Sequence, residues 1–375
     1  MDIDRRLFRN LDVPLIAVTL LLVVFGLVAV YSATFSLDPG DPYRYVRRQL
    51  AWAAAGGMVA AVSLLFDYQQ WARAARLIYL ATLIILAAVP LFAPSIQGAR
   101  RWFVVGPVQF QPSEFAKLAI IVTLARLLAA REELARPTGL IGPLIHVGLP
   151  IGLILLQPDL GTSLIFIAIL FGMLFAAGVP LRYLVALVAG GAALFAVAAY
   201  ASLQGWFPLL KEYQLRRLLV FLDPYSDRTG AGWNVIQSMI AIGSGGFFGK
   251  GLFSGSQTQL RFLPARHTDF IFSVIGEELG FLGAFLLLGL YFLLMWRSLR
   301  LMAQAKDTFG ALIIAGVVSM IFGHVLVNVG MTLGIMPVTG LPLPFVSVGG
   351  TSLVTNLLGV AMILNVHMRR HKILF

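Results

Sequence analysis

Apolar residues in this chain run in long blocks instead of alternating with polar ones. From Val13 to Tyr31 it reads VPLIAVTLLLVVFGLVAVY, with no charge. A helix crossing hydrocarbon needs roughly 17–25 mostly apolar residues. Nine further blocks meet or approach that length: Gln49–Phe66, Leu77–Ala93, Pro112–Ala130, Leu140–Leu156, Leu160–Gly178, Leu181–Leu203, Phe270–Trp296, Phe309–Met336 and Gly349–His367. The pattern predicts an all-α integral membrane protein of about ten transmembrane helices. Gln157-Pro158-Asp159 alone separates the fifth and sixth blocks, so these form a tight helical hairpin.

The connections carry their own signals. One is long, about Gln204–Thr268, and within it AGWNVIQSMIAIGSGG predicts a short amphipathic helix. GARRWFVVGPVQFQ alternates around Gly106-Pro107 and predicts a small hairpin. PVTGLPLPFVSVGG is proline-rich, so it reads as extended, because each proline biases its predecessor away from helix.

Composition agrees with the blocks. The chain is 59% hydrophobic and 12% charged, with a mean hydropathy of +0.88. No polar stretch is long enough to fold apart, so residues 1–375 read as a single polytopic membrane domain. The basic start leads into an apolar run longer than a signal-peptide core, which reads as a retained first span. A net charge of +11 would suggest nucleic acid in a soluble protein. Here it follows from basic residues gathered in cytoplasmic loops, and no nucleic-acid partner is implied. With the N-terminus inside, Arg5, Arg6, Arg9, Arg73, Arg76, Arg126, Arg131, Arg136, Arg182, Arg297, Arg300, Lys306, Arg369, Arg370 and Lys372 lie inside. Arg44, Arg47, Arg48, Arg100 and Arg101 lie in short outer loops, a ratio of about three to one for N-in, C-in. There is no cysteine, which excludes disulfides and thiol chemistry.

Charges in or beside the spans are the candidate chemistry, since a charge at bilayer depth costs about 2.5–3.5 kcal/mol or more. Glu114 and Lys117 stand at i,i+3 on one helix face. They read as a packing ion pair or as a site whose lysine faces a phosphate. Asp159, in LLQPDLGTS, caps the next helix, or lines a cavity or ligates a metal. Arg101 and Trp102 read as interfacial anchors or as a phosphate contact, which the planar guanidinium suits. Asp269 opens the eighth block, as a helix-start acid or as a carboxylate at the lipid edge. Ser273, Gly276 and Gly280 share its face at helical spacing, which predicts clearance beneath it. Glu277 and Glu278 point apart and read mainly as inter-helix contacts. Lys250 and Arg266 add cations to the outer loop. GSGGFFGKG is not a phosphate-binding P-loop, and the histidines lack zinc spacing. His324 and Asn328 read as hydrogen-bonding within the bundle. Outer cations, an edge carboxylate and a small-residue face suit a substrate with an anionic head and a long apolar tail. A lipid-linked diphosphate sugar is such a molecule.

The segments GARRWFVVGPVQFQPSEFAKL, QPDLGTS, AIGSGGFFGKG, QTQLRFLPARHTDFIFSVIGEELGF and MPVTGLPLPFVSVGGTS, spread in order over most of the chain, resemble the SEDS family of shape, elongation, division and sporulation proteins. The likeness is greater to its elongation members. Where the family's usual motif has tyrosine, this chain has Val348. The resemblance implies a peptidoglycan glycosyltransferase polymerising lipid II at the outer face of the bacterial cytoplasmic membrane. It also implies ten spans and a class B penicillin-binding protein as partner, within the cell-elongation machinery. By motif it carries an essential aspartate onto Asp269. It carries the family's Trp and Arg onto Trp102 and Arg101, its cavity pair onto Glu114 and Lys117, and a further aspartate onto Asp159. On this reading Asp269 is the general base, and Arg101 and Lys117 hold the diphosphate. A divalent cation, Mg or Mn, is compatible, with no organic cofactor, although no complete ligand set is visible. A lipid II flippase and a non-catalytic scaffold for the penicillin-binding protein are the alternatives.

Overall fold

The computed structural model of the chain describes residues 10–37, 40–96, 99–106, 108–130, 136–205, 212–227 and 230–370. Arg5, Arg6, Arg9, Arg131 and Lys372, which entered the count of inside charges, and Pro107 of the hairpin turn lie outside them. In chain order the main elements are α1 (Val13–Thr34), α2 (Arg44–Ser63), α3 (Tyr68–Phe92), β1 (Phe103–Val105), β2 (Val108–Phe110), α4 (Pro112–Ala129), α5 (Pro137–Leu156), α6 (Leu160–Ala176), α7 (Leu181–Leu203), α8 (Glu212–Leu222), α9 (Ala231–Gly245), α10 (Ser256–Gln259), α11 (Ile271–Glu278), α12 (Gly280–Met302), α13 (Thr308–Thr332) and α14 (Gly350–Met368). Every apolar block is helical, and among the described residues seven helices are long and apolar enough to cross a membrane. Of the other blocks, α6 is 17 residues long. α2 opens with Arg44, Arg47 and Arg48, and α4 carries Glu114, Lys117 and Arg126. The predicted hairpin is present, pairing Phe103 with Phe110 in antiparallel register.

The bundle has a centre and a rim. Over their most apolar 18 residues, α14 is buried at 89% of positions and α13 at 72%, and most of α4 is buried with them, whereas α7 is buried at 17%. Polar side chains fix the helix ends. Asp12 accepts from Leu15 N at 2.9 Å, capping α1, and pairs with Arg297 at 2.6 Å. Asp307 caps α13 through Gly310 N at 2.7 Å and also accepts from Tyr68 Oη and Gln69 Nε2, tying α13 to the start of α3. In a low-dielectric bundle these bonds satisfy end groups that water would otherwise serve.

The eighth block departs from expectation. A single helix was predicted from Phe270 to Trp296, with Gly280 on the face of Asp269. The helix instead breaks at Leu279–Gly280, where Gly280 takes φ +65°. A Cβ there would stand 2.3 Å from Gly249 N, so only glycine admits the backbone of the long loop against the break. The predicted clearance beneath Asp269 is also filled. Ser273 Oγ lies 2.6 Å from Ser238 Oγ on α9, and Ile242 of α9 packs on Gly276. The small residues admit α9, a helix of the long loop, so they serve packing.

Candidate functional site

The main chain at Asp269 is gripped by the end of α13 and the strap that follows it. Val348 N donates to His267 O at 2.9 Å, Ser347 Oγ to Thr268 O at 2.6 Å, and Asn328 Nδ2 to Asp269 O at 2.8 Å. Ser347 Oγ in turn accepts from Leu343 N at 2.8 Å, and Asn328 Nδ2 also donates to Leu341 O at 2.7 Å. Three consecutive carbonyls are held, so the half-buried carboxylate projects from a fixed base. On one side the strap closes over it. Gly340 has φ +75°, and a Cβ there would lie 3.5 Å from Asp269 Oδ2. Burial pushes the Asp269 carboxyl up to about 6, against the opposing pull of the Arg217 guanidinium and a bond from Thr268.

Arg217 was passed over in the sequence. It stands on α8, half-buried, with Nη1 3.4 Å from Thr339 O on the strap. It is within electrostatic reach of Arg101, Tyr213, Asp159 and Asp269 together. Burial, and then the neighbouring Arg101, lower its pKa, so the site is already crowded with positive charge. Arg216 next to it turns away and pairs with Asp227 at 3.0 Å. The available signal was the adjacent arginine pair in the amphipathic stretch EYQLRRLLVFL, whose members a helix turns about 100° apart.

Arg101 and Asp159 build the neighbouring wall. Arg101 donates through Nε to Gln157 O at 3.0 Å and through Nη2 to Pro158 O, clamping the α5–α6 turn. Asp159 is the N-cap of α6. Its carboxylate accepts from Thr162 N at 3.1 Å, Thr162 Oγ1 at 2.9 Å and Gln111 Nε2 at 3.1 Å. Trp102, beside Arg101, is half-buried.

Lys117 lies deeper. It is fully buried, 2.7 Å from Glu114 Oε1 and 3.0 Å from His324 Nε2, so its charge is met inside the bundle. His324 and Asn328 do bond within the bundle as expected, although Asn328 reaches the backbone of the candidate base. The two remaining cations are not brought to Asp269. Lys250 pairs with Glu277 at 2.9 Å. Arg266 is buried and donates to Ala33 O at 2.8 Å, to Ser36 Oγ at 3.0 Å and to Thr258 O. Both tie down the long loop between α7 and α11. The glutamates do the same work. Glu277 also accepts from Gln257 N at 2.9 Å and Thr258 N at 3.0 Å, and Glu278 accepts from Ser32 Oγ and Gln259 Nε2.

With this geometry in place, the sequence matches the FtsW/RodA/SpoVE cell cycle protein family over residues 13–372. The chain belongs to the FtsW/RodA/SpoVE family. It is similar to the peptidoglycan glycosyltransferase MrdB of Escherichia coli K12, at 39% identity over 96% of this chain and 94% of that protein. Among solved structures it resembles RodA of Thermus thermophilus, with a TM-score of 0.70 and 34% identity over 96% of this chain and 98% of that one. It also resembles a chain solved in a peptidoglycan synthase complex that coordinates polymerization and crosslinking, with a TM-score of 0.79 and 38% identity over 96% of this chain and 99% of that one. As an FtsW/RodA/SpoVE member with apolar helices of spanning length, the chain is a multi-pass protein of the cytoplasmic membrane.

The family strap also explains Val348. Its contribution is the backbone N–H to His267 O, which any residue but proline supplies, so the missing tyrosine hydroxyl leaves the clamp intact. Among the described residues, no group of three or more His, Asp or Glu side chains comes together. A divalent ion held by protein ligands alone does not fit this donor set. One shared between a single carboxylate and substrate phosphates fits Mg-type coordination.

Proposed function

We propose that this chain polymerises lipid II into glycan strands, with Asp269 as general base. The enzyme class is that of its relatives, which carry the name peptidoglycan glycosyltransferase at 39% identity. The observation that carries the residue assignment is the fixed, half-buried Asp269 carboxylate, pushed up to about 6, facing Arg217, which in turn neighbours Arg101. A base near neutrality serves best, since it is largely ionised and still accepts a proton well. Asp269 takes the proton of the acceptor sugar's 4-hydroxyl. The new glycosidic bond forms at the donor's anomeric carbon as its bond to the lipid diphosphate breaks. Arg217 and Arg101 neutralise the negative charge that gathers on the departing diphosphate. Asp269 would hold a divalent ion, if one is used, and the ion would supply further positive charge toward the departing diphosphate. Glu114 and Lys117 form a buried ion pair deeper in the bundle.

Ten spans in an N-in, C-in arrangement, forming one membrane domain, put the loop of about residues 204–268 and Asp269 on the outer face. Lipid-linked substrate presents its head there. The likeness to a chain from a complex coordinating polymerization and crosslinking supports a class B penicillin-binding protein as partner within the elongation machinery.

The test is purified protein, with that partner, supplied with lipid II. Wild type makes glycan strands and Asp269→Asn does not. Strands at near the normal rate from Asp269→Asn would overturn the assignment. Lipid movement without polymer would indicate a flippase. Polymer that survives loss of Asp269 and depends on the partner would indicate a scaffold.

A further inference from the structure

A second site lies at the other end of α3 from the Arg100–Arg101 loop, about 30 Å away along the helix axis. There α3, α4 and α5 enclose a cavity of about 590 Å³. Arg73 and Arg76 on α3 and Arg126 on α4 stand around it, all three exposed. Arg73 and Arg76 are i,i+3 neighbours on one face. Among the described residues none of the three has an ion-pair partner. Three like charges around one cavity raise its potential and call for an anion.

The floor of the cavity is polar and built. The Tyr79 and His146 rings stack at 4.0 Å and 15°. Tyr79 Oη donates to His146 O at 2.9 Å, and His146 Nε2 lies 2.9 Å from the buried Thr123 Oγ1. About one turn further along α3 and α5 lies an open apolar slot of about 510 Å³. Leu83 and Ile84 line it from α3, and Gly148, Leu149 and Gly152 from α5. Gly148 and Gly152 face open space here, since a Cβ at either would meet nothing within 4 Å, and larger side chains there would occupy it. A basic pocket leading into an apolar slot along one helix pair matches a lipid in both its parts.

We propose that this groove binds an anionic phospholipid of the inner leaflet, with its phosphate among Arg73, Arg76 and Arg126 and an acyl chain along Gly148 and Gly152. A free anion would satisfy the arginines and leave the slot empty, so the slot selects a lipid. Basic pockets between spanning helices on the cytoplasmic side bind such headgroups by the same electrostatics.

The test uses full-length protein in nanodiscs of phosphatidylcholine mixed with phosphatidylglycerol, extracted gently and weighed by native mass spectrometry. Wild type retains phosphatidylglycerol over phosphatidylcholine. Each arginine contributes about fivefold, so Arg73→Gln/Arg76→Gln/Arg126→Gln loses about 100-fold of that preference. Gly148→Leu/Gly152→Leu keeps every charge, fills the slot, and lowers retention about tenfold. The exposed arginines make no described contact whose loss would unfold the chain, and an unchanged thermal midpoint confirms this for each variant. Equal retention of the two lipids, or equal phosphatidylglycerol in wild type and the triple variant, overturns the site. Displacement of phosphatidylglycerol by millimolar inorganic phosphate, with the glycine variant unaffected, overturns the lipid and leaves a free-anion site.

Discussion

Asn328 donates its side-chain amide to the main-chain carbonyl of Asp269 at 2.8 Å, and to Leu341 O at 2.7 Å. One buried side chain on α13 therefore sets the position of Asp269 and of the strap that closes over it. Asn328→Leu leaves two carbonyls without their donor, at a cost of about 1–3 kcal/mol for each buried group. The expected outcome is a lower thermal midpoint and about a tenfold or greater loss of polymerisation, with Asp269 itself intact. Unchanged turnover in the folded variant would show that the carboxylate needs no such clamp.

Asp269→Asn removes the base, and about 10²–10⁴-fold of the rate should go with it. The pH profile gives a separate check. The carboxyl is raised from its ordinary value to about 6, and only the ionised form accepts a proton. kcat/KM should therefore fall tenfold per pH unit below about 6 and level off above it.

The same shift has a sign for stability. Because the folded pKa exceeds the unfolded one, the folded state holds the extra proton between about 4 and 6. Ionised Asp269 is thus a burden on the fold, felt increasingly as pH rises through that window. Asp269→Asn should unfold at a higher temperature than wild type at pH 7, and the gap should close near pH 4. A lower midpoint for the variant at pH 7 would contradict the burial described.

Arg217→Gln removes the cation that opposes the burial of Asp269. The Asp269 carboxyl should then rise further, so the acid limb of the rate profile moves to higher pH. Polymerisation at neutral pH should fall by about 10²-fold if Arg217 also meets the leaving diphosphate. Arg217→Lys should restore the acid limb more fully than the rate, since an ammonium keeps the charge and loses the planar fork.

The Glu114–Lys117 pair is buried at 2.7 Å. Lys117→Met leaves an uncompensated carboxylate in the bundle and should cost about 3–5 kcal/mol. Glu114→Gln/Lys117→Met removes both charges and should recover most of that loss in a thermal-unfolding series. If the double variant regains stability yet stays inactive, the pair acts on substrate as well as on packing.

The sequence by itself determined the helices. Apolar blocks of spanning length have no other low-energy form in lipid, where each backbone group must find its partner inside its own segment. The same local rules made the Gly106 hairpin and the extended strap legible, as well as the alternative of Asp159 as a cap. Motif spacing marked Asp269, Arg101, Glu114 and Lys117 for chemistry. Only the tertiary structure decided which charges meet. Lys250 and Arg266 looked like site cations because they sit near Asp269 along the chain. Glu277 and the carbonyls of Ala33 and Thr258 claim them instead. Arg217 and Asn328 lie 52 and 59 positions from Asp269, and no local pattern ties them to it. Their role comes from the folding back of α8 and α13, and the same folding lays α9 over the small face that looked open. Charge placement in a bundle is a property of helix packing, where a few ångströms separate a free cation from a spent one.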